Sequence, residues 1–236
     1  MTLRTLKDLN LAGRRVFVRV DFNLPIKDGK ILDDSRVKAA LPTLNYILEK
    51  GGRPILASHL GRPKGPDPSQ SLKPVAERLR QLSGRTVIFS NQPCGPEAEA
   101  LSKALKPGEI LLLENTRFEK GEKDDTPEAA RKFRALADVY VNDAFGTAHR
   151  ADASTHALAL LFDERAAGLL MEREVAALTA TVTAPEHPSS PSSAAPRSAA
   201  SSRCSRPSSP RPTPSSSGAG WPTPSSRRRG WRSANP

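Results

Sequence analysis

Arginine, histidine, asparagine and aspartate side chains follow four short apolar runs of this 236-residue chain. The runs are RVFVRV (15–20), PILAS (54–58), EILLL (109–113) and DVYVN (138–142), and each is typical of a buried β-strand. Guanidinium groups match phosphate and carboxylate oxygens, so the set predicts a site for a small anion with several charges, such as a phosphorylated acid. The residues concerned are Asp21, Asn23, Arg36, His59, Arg62, Arg117, His149 and Arg150.

The loop SHLGRPKG (58–65) combines a histidine, an arginine, a lysine and two glycines directly after an apolar run. A P-loop requires a Gly-Lys-Ser/Thr triplet that opens a helix, whereas Pro63 and Pro66 interrupt this stretch. No G-x-G-x-x-G follows the first predicted strand, which disfavours a dinucleotide-binding dehydrogenase. The loop is therefore basic without the pattern of a nucleotide site.

Each of these residues also has a purely structural interpretation. A single arginine such as Arg36 or Arg117 is more often a surface or salt-bridge residue, and His59 could equally pack in the core. Asp21 could cap a turn, and Asn23 could adopt a left-handed turn conformation. The recurrence of such residues at strand ends favours the binding site, because ligands of parallel sheets bind there.

Helix-like stretches alternate with strand-like runs, including TVIF (86–89), up to about residue 180. Ser35 is suited to cap the first helix and Gly51 to end it, and the segments that begin SLKP and TPEA carry proline in the first turn. The repeated β-α-β spacing predicts an α/β fold, with a parallel β-sheet and helices on both faces. The helical charges most simply explained as a solvated face are Arg131, Lys132 and Arg134.

The composition changes abruptly at Pro185. Beyond it there is no Leu, Ile, Val, Phe, Tyr or Met, and Trp221 and Trp231 are the only large apolar residues. Such a segment cannot offset the entropy of ordering itself, which predicts a disordered Ser/Pro/Arg-rich tail over 185–236. Eight arginines against Glu186 give the tail +7 of the formal net charge of +11. Because the tail lacks the spacing of any nucleic-acid-binding module, we expect no nucleic-acid partner.

Cysteine use and the length of the apolar runs exclude further protein classes. Cys94 and Cys204 are too few and too far apart for a disulfide framework or a metal site. The start MTLRTLKDLN has no apolar signal-peptide core, and no apolar run is long enough to span a bilayer. We therefore expect a cytoplasmic monomer with no membrane contact and no metal ligands of its own.

Six sequence blocks together resemble the phosphoglycerate kinase family. They are VRVDFNLP, DDSRVKAALPT, SHLGRPKG, LLLENTRF, VNDAFGTAHRA and GLLMEREV, in that family's order and spacing across 1–185. The resemblance implies the N-terminal half of the enzyme, a Rossmann-like domain that holds 3-phosphoglycerate, whereas a C-terminal half holds Mg-ATP or ADP. In this chain the substrate domain would span 1–170 and a connecting helix 171–184.

The resemblance also implies a reaction, a reversible phosphoryl transfer from 1,3-bisphosphoglycerate to ADP that gives 3-phosphoglycerate and ATP. Such a transfer needs in-line alignment and charge neutralisation rather than a covalent nucleophile. Arg36 matches the arginine that stabilises charge on the transferring phosphoryl group, and Asp152 stands where the family usually has a second histidine. Carried over residue by residue, the substrate contacts would be Asp21, Asn23, Arg36, His59, Arg62, Arg117 and Arg150.

The tail departs from the family pattern, because a strand with a GGAK-type loop should follow Pro188 and SSPSSAAPRSAASS follows instead. In a shifted reading frame, each codon consists of the third base of one printed codon and the first two bases of the next. The third base of each printed codon can be any base that still encodes the printed residue. In that reading the stretch from Ser189 can give FVAVLGGAKVSGK, and Ser215 to Ser226 can give LLIGGGMANTFL. Both strings look like the nucleotide-binding half, so we infer a missing base near Pro188 or Ser189. A native low-complexity interaction arm is the alternative.

Neither GGAK nor GGGM occurs in the 236-residue chain itself. Mg-ATP and ADP therefore belong to the intact family enzyme and are not expected to bind this chain. We predict weak binding of 3-phosphoglycerate and no catalysis. The alternative function is a stand-alone domain that binds a phosphorylated acid.

Overall fold

A parallel β-sheet forms the centre of the fold in the computed structural model, which describes residues 3–27 and 29–183. Six strands lie in the order β5-β6-β4-β1-β7-β8, and all neighbours pair in parallel, while β2 and β3 form a separate antiparallel hairpin. In chain order the strands are β1 (Arg15–Arg19), β2 (Ile26–Lys27), β3 (Lys30–Ile31), β4 (Arg53–Ala57), β5 (Val87–Phe89), β6 (Ile110–Leu112), β7 (Val139–Asn142) and β8 (Arg165–Ala167).

Helices cover both faces of the sheet and bury two separate apolar cores. Val16 and Val18 of β1 belong to the core beneath α1 and α2, whereas Phe17 belongs to the core beneath α3, α4 and α5. This alternation follows from strand geometry, which points successive side chains to opposite faces, and it confirms the predicted α/β fold. The helices are α1 (Ser35–Glu49), α2 (Lys73–Ser83), α3 (Pro96–Ala104), α4 (Pro127–Arg134), α5 (Ala157–Leu160) and α6 (Leu169–Thr183).

The helix ends follow the predicted signals, with one difference at α1. Thr126 caps α4 by accepting a hydrogen bond from the Ala129 N–H at 3.3 Å, and Gly51 follows α1 with φ of 74°. Ser35, expected as a cap, is instead the first helical residue, and the Asp33 carboxylate accepts its N–H at 2.8 Å. The N-cap residue is Asp34, which makes no side-chain cap hydrogen bond, so Asp33 satisfies one N–H of the first turn from outside the helix.

Three elements were not predicted, namely the β2–β3 hairpin, α3 and the edge strand β8. The predicted disordered tail over 185–236 lies outside the described residues. Within the part that the structure describes, no helix is long and apolar enough to cross a membrane.

Candidate functional site

The carboxyl ends of β6, β4, β1 and β7 lie side by side at one edge of the sheet, because these strands are consecutive in the sheet order. The loops that follow them carry the predicted site residues to the same edge, which α1 joins through Arg36. We call this edge the basic rim and define it by Asp21, Asn23, Arg36, His59, Arg62, Arg117 and Arg150.

Side-chain hydrogen bonds join three loops of the basic rim around Gly61. The Asn23 side-chain oxygen accepts the Gly61 N–H at 3.0 Å, and the Arg117 guanidinium donates to the Gly61 carbonyl. The Asp21 carboxylate pairs with the Arg36 guanidinium and also accepts the Asn23 N–H at 3.2 Å. The salt-bridge interpretation of Arg36 and the turn interpretation of Asp21 are therefore both correct, and both contacts place these groups at the rim.

His59 is the buried centre of the basic rim, with only 2% of its surface exposed. Burial first, and then the charges of Arg19, Arg117, Arg150 and Arg36, together lower the pKa of His59 to about 2. His59 is therefore uncharged at neutral pH. The positive charge of the site comes from the arginines around it.

Arg19, the last residue of β1, lies completely buried beneath the basic rim, and sequence reasoning did not single it out. Its Nε donates to Ser154 Oγ at 3.0 Å, its Nη1 to the Val20 carbonyl at 2.5 Å, and its Nη2 lies 3.3 Å from His59 Nδ1. The Ser154 hydroxyl donates in turn to the Glu122 carboxylate at 2.6 Å. Burial raises the pKa of Glu122, and the Arg19 charge and the hydrogen bonds from Ser154 offset only part of that rise.

The sequence does contain a signal for this buried arginine. Arg19 interrupts the apolar run RVFVRV, and a fully buried arginine requires acceptors or a counter-charge. Its partners are distant in the chain, since Ser154 is 135 positions away and His59 is 40 positions away. The sequence therefore indicates that partners are needed without identifying them.

Two of the predicted residues lack contacts with the rest of the basic rim. Arg62 is exposed on the loop after β4, and within residues 3–27 and 29–183 its side chain makes no hydrogen bond or ion pair. Arg150 is half-buried and joins the rim through its charge on His59, while its backbone N–H binds the Thr147 carbonyl at 3.0 Å. Both side chains keep their donors for a ligand.

Asp143, directly after β7, connects the basic rim to the start of α6. One carboxylate oxygen, Oδ1, accepts the N–H of Leu170 at 3.0 Å and of Met171 at 3.2 Å. Burial raises the pKa of Asp143, and these hydrogen bonds oppose that rise. Gly168 permits the close approach, since a Cβ at this position would lie 2.1 Å from Asp143 Oδ1. The first turn of α6 is thus held by the sheet edge.

A cavity of about 380 Å³ opens beside the basic rim, between α1, the loop after β7 and the start of α6. Its lining includes Asp21, Arg36 and Asp143, so it is continuous with the rim. A larger groove of about 1160 Å³ lies between the β2–β3 hairpin and α2 and contains none of the rim residues. The candidate site is therefore chosen by the convergence of charged side chains and not by cavity size.

The donor set of the basic rim suits an anion rather than a metal ion. Guanidinium groups and a neutral imidazole offer N–H donors, which match the oxygens of phosphate and carboxylate groups. In the residues that the structure describes, no group of three or more His, Cys, Asp or Glu side chains is arranged to hold a metal ion.

Comparison with known proteins places the chain in a family. The sequence profile described as "Phosphoglycerate kinase" matches residues 6–190. The chain belongs to the phosphoglycerate kinase family. Its N-terminal blocks, recognised above as a resemblance, are thus confirmed as those of phosphoglycerate kinases.

Relatives with known names include one from Desulforudis audaxviator and one from Nicotiana tabacum. The chain is 53% identical over 190 residues to "Phosphoglycerate kinase" of Desulforudis audaxviator (strain MP104C), covering 80% of this chain and 48% of the relative. It is 50% identical over 185 residues to "Phosphoglycerate kinase, cytosolic" of Nicotiana tabacum, covering 78% of this chain and 46% of the relative. The chain therefore spans about half the length of the curated relatives it matches.

Solved structures of phosphoglycerate kinases share the fold. The structure of phosphoglycerate kinase from Coxiella burnetii matches with a TM-score of 0.71 and 38% identity. The crystal structure of phosphoglycerate kinase from Pyrococcus horikoshii OT3 matches with a TM-score of 0.72 and 35% identity. Each match covers 79% of this chain and 47% of the solved chain.

Proposed function

We propose that the described residues form the phosphoglycerate-binding half of a phosphoglycerate kinase. The intact enzyme would transfer a phosphoryl group reversibly between 1,3-bisphosphoglycerate and ADP, giving 3-phosphoglycerate and ATP. The observation that carries the proposal is the convergence of Arg19, Arg36, Arg117 and Arg150 on the uncharged His59 at four strand ends. A ligand with a phosphate at one end and a carboxylate at the other matches this distribution of donors.

Within this proposal, Arg36 contacts the transferring phosphoryl group, so its side chain must have unused N–H donors. It lies at the start of α1, its side chain is 49% exposed, and Asp21 pairs with its guanidinium. A guanidinium group has five N–H donors, so the pairing leaves donors for phosphate oxygens. Arg36 would then neutralise the charge that develops on a transferring phosphoryl group, while the contact with Asp21 keeps the side chain oriented.

We infer that this chain does not bind the nucleotide that the intact enzyme uses. Neither GGAK nor GGGM occurs in the chain, and the described residues include no acidic cluster for a metal ion. The basic rim offers a site for one small anion, and its loops lack the glycine-rich backbone of a phosphate cradle. We infer that the 236-residue chain binds 3-phosphoglycerate without catalysing transfer. Normal turnover by the purified chain in a coupled, ATP-dependent assay would refute this inference.

We further propose that a missing base separates this chain from the second half of the enzyme. The family match ends at residue 190, next to the composition change and to the position where the shifted reading begins. The test is to sequence the DNA across the codons for Glu186 to Ser190. An additional base there supports the proposal, and a full two-domain kinase should then be expressed and assayed. Bases that encode the chain unchanged contradict it.

We also propose a cytosolic, monomeric protein. The name of the Nicotiana tabacum relative supports the location. Analytical ultracentrifugation of the purified chain tests the monomeric state, because a dimer would give twice the molecular mass of the monomer.

A further inference from the structure

A continuous chain of buried hydrogen bonds runs beneath the basic rim from Glu122 through Ser154 and Arg19 to His59. The exposed fractions of these four residues are 1%, 0%, 0% and 2%. Glu122 accepts the Ser154 hydroxyl at 2.6 Å and the Ser154 N–H at 2.9 Å. The hydroxyl has one proton, which it donates to Glu122, so its lone pair accepts from Arg19 Nε at 3.0 Å. The Ser154 hydroxyl therefore links the Arg19 guanidinium to the Glu122 carboxylate.

The contact between Arg19 and His59, the last in this series of hydrogen bonds, determines which imidazole nitrogen carries the proton. Arg19 Nη2 lies 3.3 Å from His59 Nδ1, and a guanidinium group has donors and no acceptor. Nδ1 must therefore accept, which leaves the single proton of the neutral ring on Nε2. We propose that Arg19 is a positioning residue that fixes His59 as the neutral Nε2–H tautomer, so that His59 offers an anionic ligand an N–H donor rather than a positive charge.

The charges that face His59 favour the same state. They are Arg19 from β1, Arg36 from α1, Arg117 from the loop after β6 and Arg150 from the loop after β7, and all are positive. Glu122 lies on the far side of Ser154, so its carboxylate contacts Ser154 and does not contact the imidazole. A protonated ring would add another buried positive charge to this cluster, and burial lowers the pKa of His59 accordingly.

The donation of a hydrogen bond from His59 to the ligand rests on the proposed function, whereas the tautomer of His59 does not. The two can therefore fail separately. The tautomer is measured on the full chain with ¹⁵N-labelled histidine, by long-range ¹H–¹⁵N correlation spectra between pH 5 and 8. His59→Gln assigns the signals. We expect a protonated Nε2 and an unprotonated Nδ1 throughout, without titration. An Nδ1–H tautomer, or a ring that becomes charged in this range, overturns the proposal.

A pair of substitutions tests what the neutral donor does for binding. Glutamine keeps an uncharged N–H donor, so His59→Gln should bind 3-phosphoglycerate within about threefold of wild type, while His59→Ala should bind about tenfold more weakly. The control is His156→Gln, because His156 is exposed and pairs with Asp125 on another surface. If glutamine weakens binding as much as alanine does, His59 does not act as a neutral donor. Retained affinity in His59→Ala contradicts the proposal as well.

Arg19→Lys tests the positioning role directly. An ammonium group keeps the charge but cannot span the Ser154 hydroxyl, the Val20 carbonyl and His59 Nδ1 as the guanidinium fork does. We expect a mixture of His59 tautomers in the folded variant, confirmed as folded by circular dichroism. A pure Nε2–H tautomer in that variant overturns the role of Arg19. If the variant does not fold, the wild-type spectra and the glutamine and alanine pair decide the proposal.

Discussion

Acid should destabilise this protein through His59, and His59→Gln should remove that part of the loss. The unfolded chain takes up a proton on this histidine below pH 6.5, whereas in the folded chain the pKa is lowered to about 2 by burial and by Arg19. Stability is therefore fully present above pH 6.5 and is lost as the pH falls toward about 2. Each pH unit costs about 1.4 kcal/mol, so the loss attributable to His59 between neutral pH and about pH 4.5 is about 2.7 kcal/mol.

The assay is urea unfolding of the wild type and of His59→Gln at about pH 7.5 and about pH 4.5. Carboxylates also titrate in this range, but they do so in both proteins, so the difference between the two pH-dependent losses isolates His59. We expect the variant to lose about 2–3 kcal/mol less than the wild type on acidification. The control is the exposed His149→Gln. Equal losses in wild type and His59→Gln would refute the assignment of a buried, neutral imidazole.

The other predictions concern the basic rim and α6. Arg36→Ala should weaken 3-phosphoglycerate binding about 10- to 100-fold in calorimetry, and Arg36→Lys should recover only part, because an ammonium lacks the guanidinium fork. Gly168→Ala should lower the free energy of unfolding by about 1–3 kcal/mol in urea titrations, because its Cβ would overlap Asp143 Oδ1. Asp143→Ala should cost about 1–2 kcal/mol and speed amide hydrogen exchange at Leu170 and Met171, which lose their acceptor. Unchanged exchange there would contradict the role of Asp143 as the acceptor for these two N–H groups.

The sheet was predictable where a strand carries a clear local signal. The run RVFVRV alternates β-branched and aromatic residues, and β1 spans Arg15–Arg19. The edge strand β8 has the sequence RAA with an exposed Arg165, so its pairing with β7 rather than its residues defines it. The helix α3, PEAEALSKA, buries only Ala98 and Ser102, which leaves too weak a period to read. Elements that are defined by tertiary contacts cannot be predicted from the local sequence.

The candidate site was also predictable only in part. Asp21, Asn23 and Arg117 could be found because each follows a strand and parallel strands end at one edge. The contacts that orient them could not, since the Asn23 to Gly61 and Arg19 to Ser154 hydrogen bonds join residues 38 and 135 positions apart. Sequence spacing locates the proposed binding edge, and packing decides the tautomer and the hydrogen-bond partners of the groups there.

Calorimetric titration of 3-phosphoglycerate into the purified 236-residue chain tests the central claim most directly, with Mg-ATP titrated in parallel. The account predicts one binding site for 3-phosphoglycerate, weakened in Arg36→Ala, and no heat of binding for Mg-ATP. A folded chain that fails to bind 3-phosphoglycerate, or that binds Mg-ATP equally well, would contradict the assignment of the basic rim as a phosphoglycerate site.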